Sequence, residues 1–271
     1  MKKLNSLLVA VALAGGALIS CENQEVKPQD DVVSMEVLSQ INALGFSTEG
    51  VIHFDNGYLV ENDIYLTDSD LSTMKKATHI PELEQYSTNN LVCGTRTITV
   101  YAPTGSKGYS AGMIAGLDLA ISRYNAMNLS LTFQRVTSSS ADIVFTRLTK
   151  RQERQGILGS AGFPSNCNPY GQIKMSGILE SSYGLSTGGI ATIMGHEMGH
   201  CIGFRHTDYF DRSISCGGSA SNEGTAGVGA NHIPGTPTGA TASAKSWMLA
   251  CTDGGDRPFN NDDQTALNYL Y

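Results

Sequence analysis

Residues 196–208 read His-Glu-Met-Gly-His-Cys-Ile-Gly-Phe-Arg-His-Thr-Asp. His196 and His200 are four apart, so on an α-helix their rings leave one face a turn apart. Two imidazoles so placed can bind one Zn²⁺ at about 2.0–2.1 Å. Glu197 lies beside them, where a carboxylate can take a proton from water on the metal. Gly203 can adopt the left-handed conformation that ends a helix abruptly, which lets His206 return as a third ligand. Three neutral nitrogens leave a fourth position open, as a hydrolytic zinc requires. At ordinary residue usage these five positions coincide in about one in 10⁵ chains of this length. Three of the six histidines fall within the same eleven residues, which a buried helix with incidental histidines does not explain. His232, alone in a Gly/Ser-rich segment, reads as solvated.

The elements around this run must position it. The helix bearing the pair is expected over about 188–202, capped by Ser186. Before it, 97–102 reads as a strand, and Ile114, Leu117, Ile121 and Tyr124 mark one face of a helix over roughly 109–127. Further strands are expected at 129–136, 141–148, 157–163 and 172–178. Residues 213–246 are mostly Gly, Ser, Thr and Ala, a long irregular segment. A last helix over 262–270 is opened by Asn261 with Gln264 three positions on. This is an α+β plan. Upstream, Val33, Val37, Ile41 and Leu44 recur at helical spacing and stop at Gly45. Runs 51–54 and 58–66 flank Asn56-Gly57 as a hairpin, and 68–92 reads as an exposed polar connection.

The spacing His-Glu-x-x-His-x-x-Gly-x-x-His at 196–206 resembles the metzincin zinc peptidases. The wording around it looks most like the bacterial dual-action HEIGH metallopeptidases, with Met198 in place of isoleucine. The resemblance covers roughly 97–271. It implies a twisted, mostly parallel sheet with an edge strand over the cleft, an active-site helix, and an irregular C-terminal subdomain ending in a helix. It implies a zinc-dependent endopeptidase with one catalytic Zn²⁺ on His196, His200 and His206, Glu197 as its base, and a protein or peptide as substrate. Met248, the only methionine after His206, is expected beneath the zinc. Ala250 stands where astacin-type enzymes have a tyrosine, so no tyrosine ligand is expected. Residues 157–164 resemble the matrixin substrate strand, so Gly159, Ser160 and Ala161 are expected to hold an extended peptide. The segment 213–246 is expected to shape the pocket after the scissile bond. Two rivals stand beside this reading: a catalytically silent surface binding protein on the same scaffold, and a zinc hydrolase acting on something other than peptide. The intact Glu197 argues against the first.

Charge divides the chain. Residues 22–92 hold 13 acidic and three basic side chains, residues 93–271 hold 12 and 13, and neither contains the basic run that nucleic acid would need. The expected organisation is a lipoprotein signal peptide over 1–20, a tether and acidic pro-region over 21–92, and a catalytic domain over 93–271. In the pro-region, 59–64 resembles the astacin pro-peptide motif Phe-x-Gly-Asp, which makes Asp63 a candidate latency ligand, with Asn62 where the motif has glycine. Cys93-Gly94 is a rival, resembling the matrixin cysteine switch, and a disulfide is the other reading of Cys93. Processing is expected within 86–97, with Arg96 a candidate. Met1-Lys2-Lys3 precedes an uncharged stretch over 4–20, and Leu18-Ile19-Ser20-Cys21 resembles the bacterial lipobox. Cys21 would then carry the lipid, the sole membrane attachment of an exported monomer at the cell envelope or surface, released when the pro-region is cut. The bland alternative is an ordinary export signal cut nearby. Cys93, Cys167, Cys201, Cys216 and Cys251 remain, an odd number, so at least one is unpaired or pairs between chains.

Overall fold

The amphipathic run near the start of the acidic region forms α1, Met35–Leu44, with the Ser34 hydroxyl accepting the Val37 N–H. The computed structural model describes residues 32–74, 85–223, 229–237, 239–241, 243 and 245–271, and Val32–Tyr271 form one unit. Residues 1–20, expected as a signal peptide, and Cys21 lie outside the described residues. After α1 comes an antiparallel meander of β1 (Ile52–Phe54), β2 (Gly57–Val60) and β3 (Ile64–Thr67). The run 58–66 is thus two strands, where alternation alone suggested one. Glu61 and Asn62 break it with φ of 56° and 71°, left-handed values that asparagine tolerates and glutamate adopts at a cost.

The stretch expected as an exposed connection also carries structure. Its described parts include α2 (Asp68–Thr73), held by a capping box between Thr67 and Asp70, and β4 (Tyr86–Ser87), whose side chains are buried. The remaining elements are β5 (Arg96–Tyr101), α3 (Ala111–Ala126), β6 (Leu131–Val136), β7 (Ile143–Arg147), α4 (Lys150–Arg154), β8 (Gly159–Ser160), β9 (Gln172–Met175), α5 (Thr187–Ile202), α6 (Ser213–Cys216), β10 (Asn231–His232) and α7 (Asn261–Leu270). Five of the strands form a mixed sheet in the order β6-β5-β7-β9-β8. Every pairing in it is parallel except the last, which leaves β8 as a short antiparallel edge. The strands expected at 157–163 and 172–178 are shorter than their sequence pattern suggested.

Apolar residues of the sheet, Ile98, Val100, Phe133, Ile143, Phe145 and Ile173, pack with one face of α3 and with α5. Every residue of α5 from Gly189 to Ile202 is buried, so it lacks the polar face of a surface helix. Tyr124 of α3 donates its hydroxyl to Gly195 O at 2.8 Å, and Trp247 Nε1 donates to Tyr124 Oη at 3.1 Å. That chain of bonds sets the 247–248 turn against α5.

Residues 32–74 join this core through shared clusters. Phe163 packs with Ile41, Phe46, Val60 and Ile64, while Leu148 and Ile157 pack with Phe54 and Leu59. The boundary expected at residue 93 does not coincide with a change in packing, because 85–92 are built into the later residues. Thus β4 pairs with β10, Thr88 N–H donates to Gly203 O at 2.8 Å, and Arg205 N–H donates to Tyr86 O at 2.9 Å. Cys93 bonds Cys167, Cys216 bonds Cys251, and Cys201 is free and buried.

The cap of α7 is Asn260, with Asp263 as its third residue, one position earlier than the Asn261/Gln264 pattern implied. The reason is that Asp263 faces inward, where it also accepts Gln85 Nε2 at 2.6 Å and Trp247 N–H at 3.3 Å. Burial pushes the Asp263 carboxyl up to about 6, despite these donors. A raised native value means that the associated stability is fully present below about pH 4 and is lost as pH rises through 6. Across that window wild type should lose on the order of 3 kcal/mol relative to Asp263→Asn, to be read from denaturant unfolding of both proteins between pH 4 and 7.

Candidate metal centre

The last two turns of α5 present His196 and His200 side by side, with their Nε2 atoms 3.0 Å apart. Gly203 ends the helix at φ 113°, and its N–H reaches back to Gly199 O and His200 O. The next residues are caught by β4, through the Phe204–Ser87 bridge and the Arg205 N–H bond to Tyr86 O. This returns His206 to the other two, and the three ring centroids lie 4.6, 4.9 and 5.2 Å apart.

Each ring is held from behind. Nδ1 of His196 meets Trp247 O at 2.8 Å, that of His200 meets Phe204 O at 2.9 Å, and that of His206 meets Glu223 Oε1 at 2.7 Å. With Nδ1 protonated, each ring donates to its oxygen and turns the Nε2 lone pair inward, the tautomer that metal-ligating histidines adopt. Asp63 supplies a fourth donor, with Oδ2 3.0 Å from His206 Nε2 and 3.5 Å from His196 Nε2. The four ligand atoms lie within 4.8 Å of one another. Tetrahedral zinc with ligands at 2.0–2.1 Å needs neighbours about 3.3 Å apart, so this N₃O set fits that ion.

The electrostatics agree. Burial opposes ionisation of Asp63, but His206, with His196 and His200, outweighs it and holds the carboxyl well below its usual range. Burial also opposes a charge on His206, yet Asp63 and Glu223 raise it well above the ordinary imidazole value. Burial and the two neighbouring rings push His200 well down. The pocket is therefore arranged for positive charge at the point where the lone pairs meet.

Glu197 is buried, and its Oε2 has no hydrogen-bond partner. Burial, then the Asp63 charge, lifts its carboxyl well above the usual range, with His206 pulling the other way. Its place explains Gly159, since a Cβ there would lie 2.3 Å from Glu197 Oε1. The small residue in β8 thus makes room for a carboxylate, in addition to leaving an edge. A Cβ on Gly199 would lie 2.6 Å from Met248 Sδ, so the Met248 thioether rests against the helix between the two histidines. Beyond β8, Ala161 N–H donates to Asp63 O at 2.9 Å and Tyr65 N–H donates to Ala161 O at 2.9 Å. The acidic region therefore lies along the edge at Ala161, and the bridge of Ile64 to Ala161 is parallel.

Sequence reasoning missed Glu223 and the buried charges behind it. Glu223 is the only acidic residue in 213–246, and that isolation was the available signal. Its Oε1 is shared by His206 Nδ1 and by Arg212 Nη1 at 2.7 Å, and Arg212 also donates to Glu61 O at 2.8 Å. A cavity of about 390 Å³ opens beside Glu197 and His196, bounded by 156–159, 192–193, 249–252 and Arg257. None of the described residues of 213–246 lines it, so the expectation that this segment shapes the pocket gives way to the stretch after Met248. His232 lies apart in β10, near Thr236.

If Glu223 sets the third ring, Glu223→Gln should weaken zinc binding about 10–100-fold in a chelator competition, as loss of a second-layer partner to a metal histidine does. Unchanged affinity would show that His206 is oriented without it.

No curated protein matches the sequence. Among solved structures, that of myroilysin is similar over 67% of this chain and 95% of its own, at 13% identity and a TM-score of 0.40. The family model of the dual-action HEIGH metallo-peptidases matches residues 58–271, which take in the three histidines, Glu197 and Met248. On that match, the chain belongs to the dual-action HEIGH metallo-peptidase family.

Proposed function

We propose that the protein is a zinc-dependent endopeptidase of the metzincin type, exported as a latent precursor. One observation carries the reading: three histidine Nε2 atoms, each oriented through Nδ1, converge beside a buried carboxylate with an unpartnered oxygen. His196, His200 and His206 would hold the ion, and Met248 packs beneath their helix. Bound zinc would polarise the scissile carbonyl and make water more acidic. Glu197 takes the proton of the attacking water and passes it to the leaving amine. The backbone of Gly159, Ser160 and Ala161 would hold an extended substrate antiparallel to β8, as an added strand.

Latency is the second part. Asp63 brings an oxygen to the fourth ligand position, and residues 63–65 take both backbone bonds of Ala161. The left-handed turn at Glu61-Asn62 aims Asp63 inward. Such a segment would exclude both water and substrate until it is removed. Residues 85–92 are tied to Gly203, Arg205 and Asp263, and Arg96 is the first residue of β5. A cut within 86–97 would leave some or all of these residues on the departing fragment, so activation is better served by a cut on the N-terminal side of Gln85. Lipid attachment at Cys21, and release from it on processing, remain part of the proposal. The two disulfides support an oxidising destination.

The test uses wild type and Glu197→Ala, freed of the pro-region identically, supplied with zinc and incubated with a diverse peptide mixture. Wild type should cut, and Glu197→Ala should be about 10²–10⁴-fold slower by mass spectrometry. No cuts from zinc-loaded wild type would favour the silent binding protein. Uncut Asp63→Ala should be more active than uncut wild type, and equal silence would refute the aspartate lock.

A further inference from the structure

We infer that the cavity beside Glu197 takes an acidic side chain, that of the residue following the scissile bond, and that Arg257 recognises it. The inference deepens the peptidase reading and rests on it. Among the described residues, Arg257 is the only lysine or arginine lining the cavity, whose walls include the apolar Ile157, Leu158, Ile193 and Leu249. Arg257 is itself only 7% exposed. Its Nη1 donates to Cys251 O at 3.0 Å and its Nη2 pairs with Asp253 at 3.1 Å, but its buried Nε has no acceptor. A buried guanidinium matched on only two of its three nitrogens is costly, and a carboxylate entering the cavity would offset its charge.

The charge balance points the same way. The Asp253 side chain is 51% exposed and also accepts the Gly255 N–H at 3.0 Å, so water and backbone share its charge. It offsets only part of the Arg257 field inside a space that is partly walled by apolar side chains. Two other carboxylates line the cavity: Asp63 leaves with the pro-region, and Glu197 is the proton carrier. Direction follows from strand polarity. A substrate antiparallel to β8 passes Ala161 before Gly159, and the cavity lies at Ile157–Gly159, so it receives the residue after the bond over the histidines. In the precursor, Asn62 also lines the cavity, so this subsite would open with the cleft.

The experiment compares wild type, Arg257→Met and Arg257→Lys, each freed of the pro-region and loaded with zinc. Two readouts are taken: the residue after each cut in a peptide mixture, and the affinity of hydroxamate-capped dipeptides bearing Glu, Gln or Leu, measured by fluorescence competition without turnover. Wild type should favour acidic residues over leucine roughly 10–100-fold in both, the scale of one hydrogen-bonded charge. Arg257→Met should lose or reverse the preference, and Arg257→Lys should keep part of it. An apolar preference in wild type, or an unchanged preference in Arg257→Met, would overturn the inference. Equal affinities for the three dipeptides would overturn it whatever the activity. Glu-selective binding without any cutting would uphold the pocket and defeat the peptidase reading instead.

Discussion

Three imidazole lone pairs brought to one point repel one another unless something positive lies between them, and nothing local to a helix would hold them there. Each ring must be anchored through its far nitrogen, and the three anchors come from different parts of the chain. Phe204 O lies just past the helix, Trp247 O on a turn 51 residues after His196, and Glu223 in irregular chain. Much of the fold follows from bringing these oxygens into place. Tyr124 and Trp247 fix the turn against α5, β4 holds the chain after Gly203, and Asp263 ties the turn to the final helix.

Legibility tracked how local each determinant is. The 196–206 spacing is a property of one helix and its end, so His196, Glu197, His200, Gly203 and His206 could be read directly from the sequence. Helices α3 and α5 were equally open, α3 through the helical spacing of Ile114, Leu117, Ile121 and Tyr124 and α5 through its Ser186 cap. The break at Glu61-Asn62 was hidden, since the β-prone residues on both sides continue without a glycine or proline. What forces the turn lies far away, in the Arg212 bond to Glu61 O and in Ala161. Glu223 was hidden for a related reason, since a carboxylate in a Gly/Ser-rich run carries no periodicity that would reveal what it meets. The slip from Asn260 to Asn261 at the last helix arose because two adjacent asparagines each offered a plausible cap. Only the inward contacts of Asp263 decide between them.

Residues 32–74 sit differently from a loosely appended domain. They share apolar clusters with the rest through Phe163, Leu148 and Ile157, and Lys174 pairs with Asp55. The left-handed backbone at Glu61 and Asn62 is held by the Arg212 bond to Glu61 O and the Ala161 N–H bond to Asp63 O. A segment held over a wide area can keep one carboxylate on target without depending on that carboxylate for its own docking.

The Cys216–Cys251 bond closes 35 residues of chain that include Glu223 and the run leading to Met248. Cys251 also borders the cavity, and Cys216 follows Arg212 by four residues. One covalent link therefore joins the anchor of the third histidine to the wall of the cavity beside Glu197. In a reducing cytoplasm both would be less firmly constrained at once.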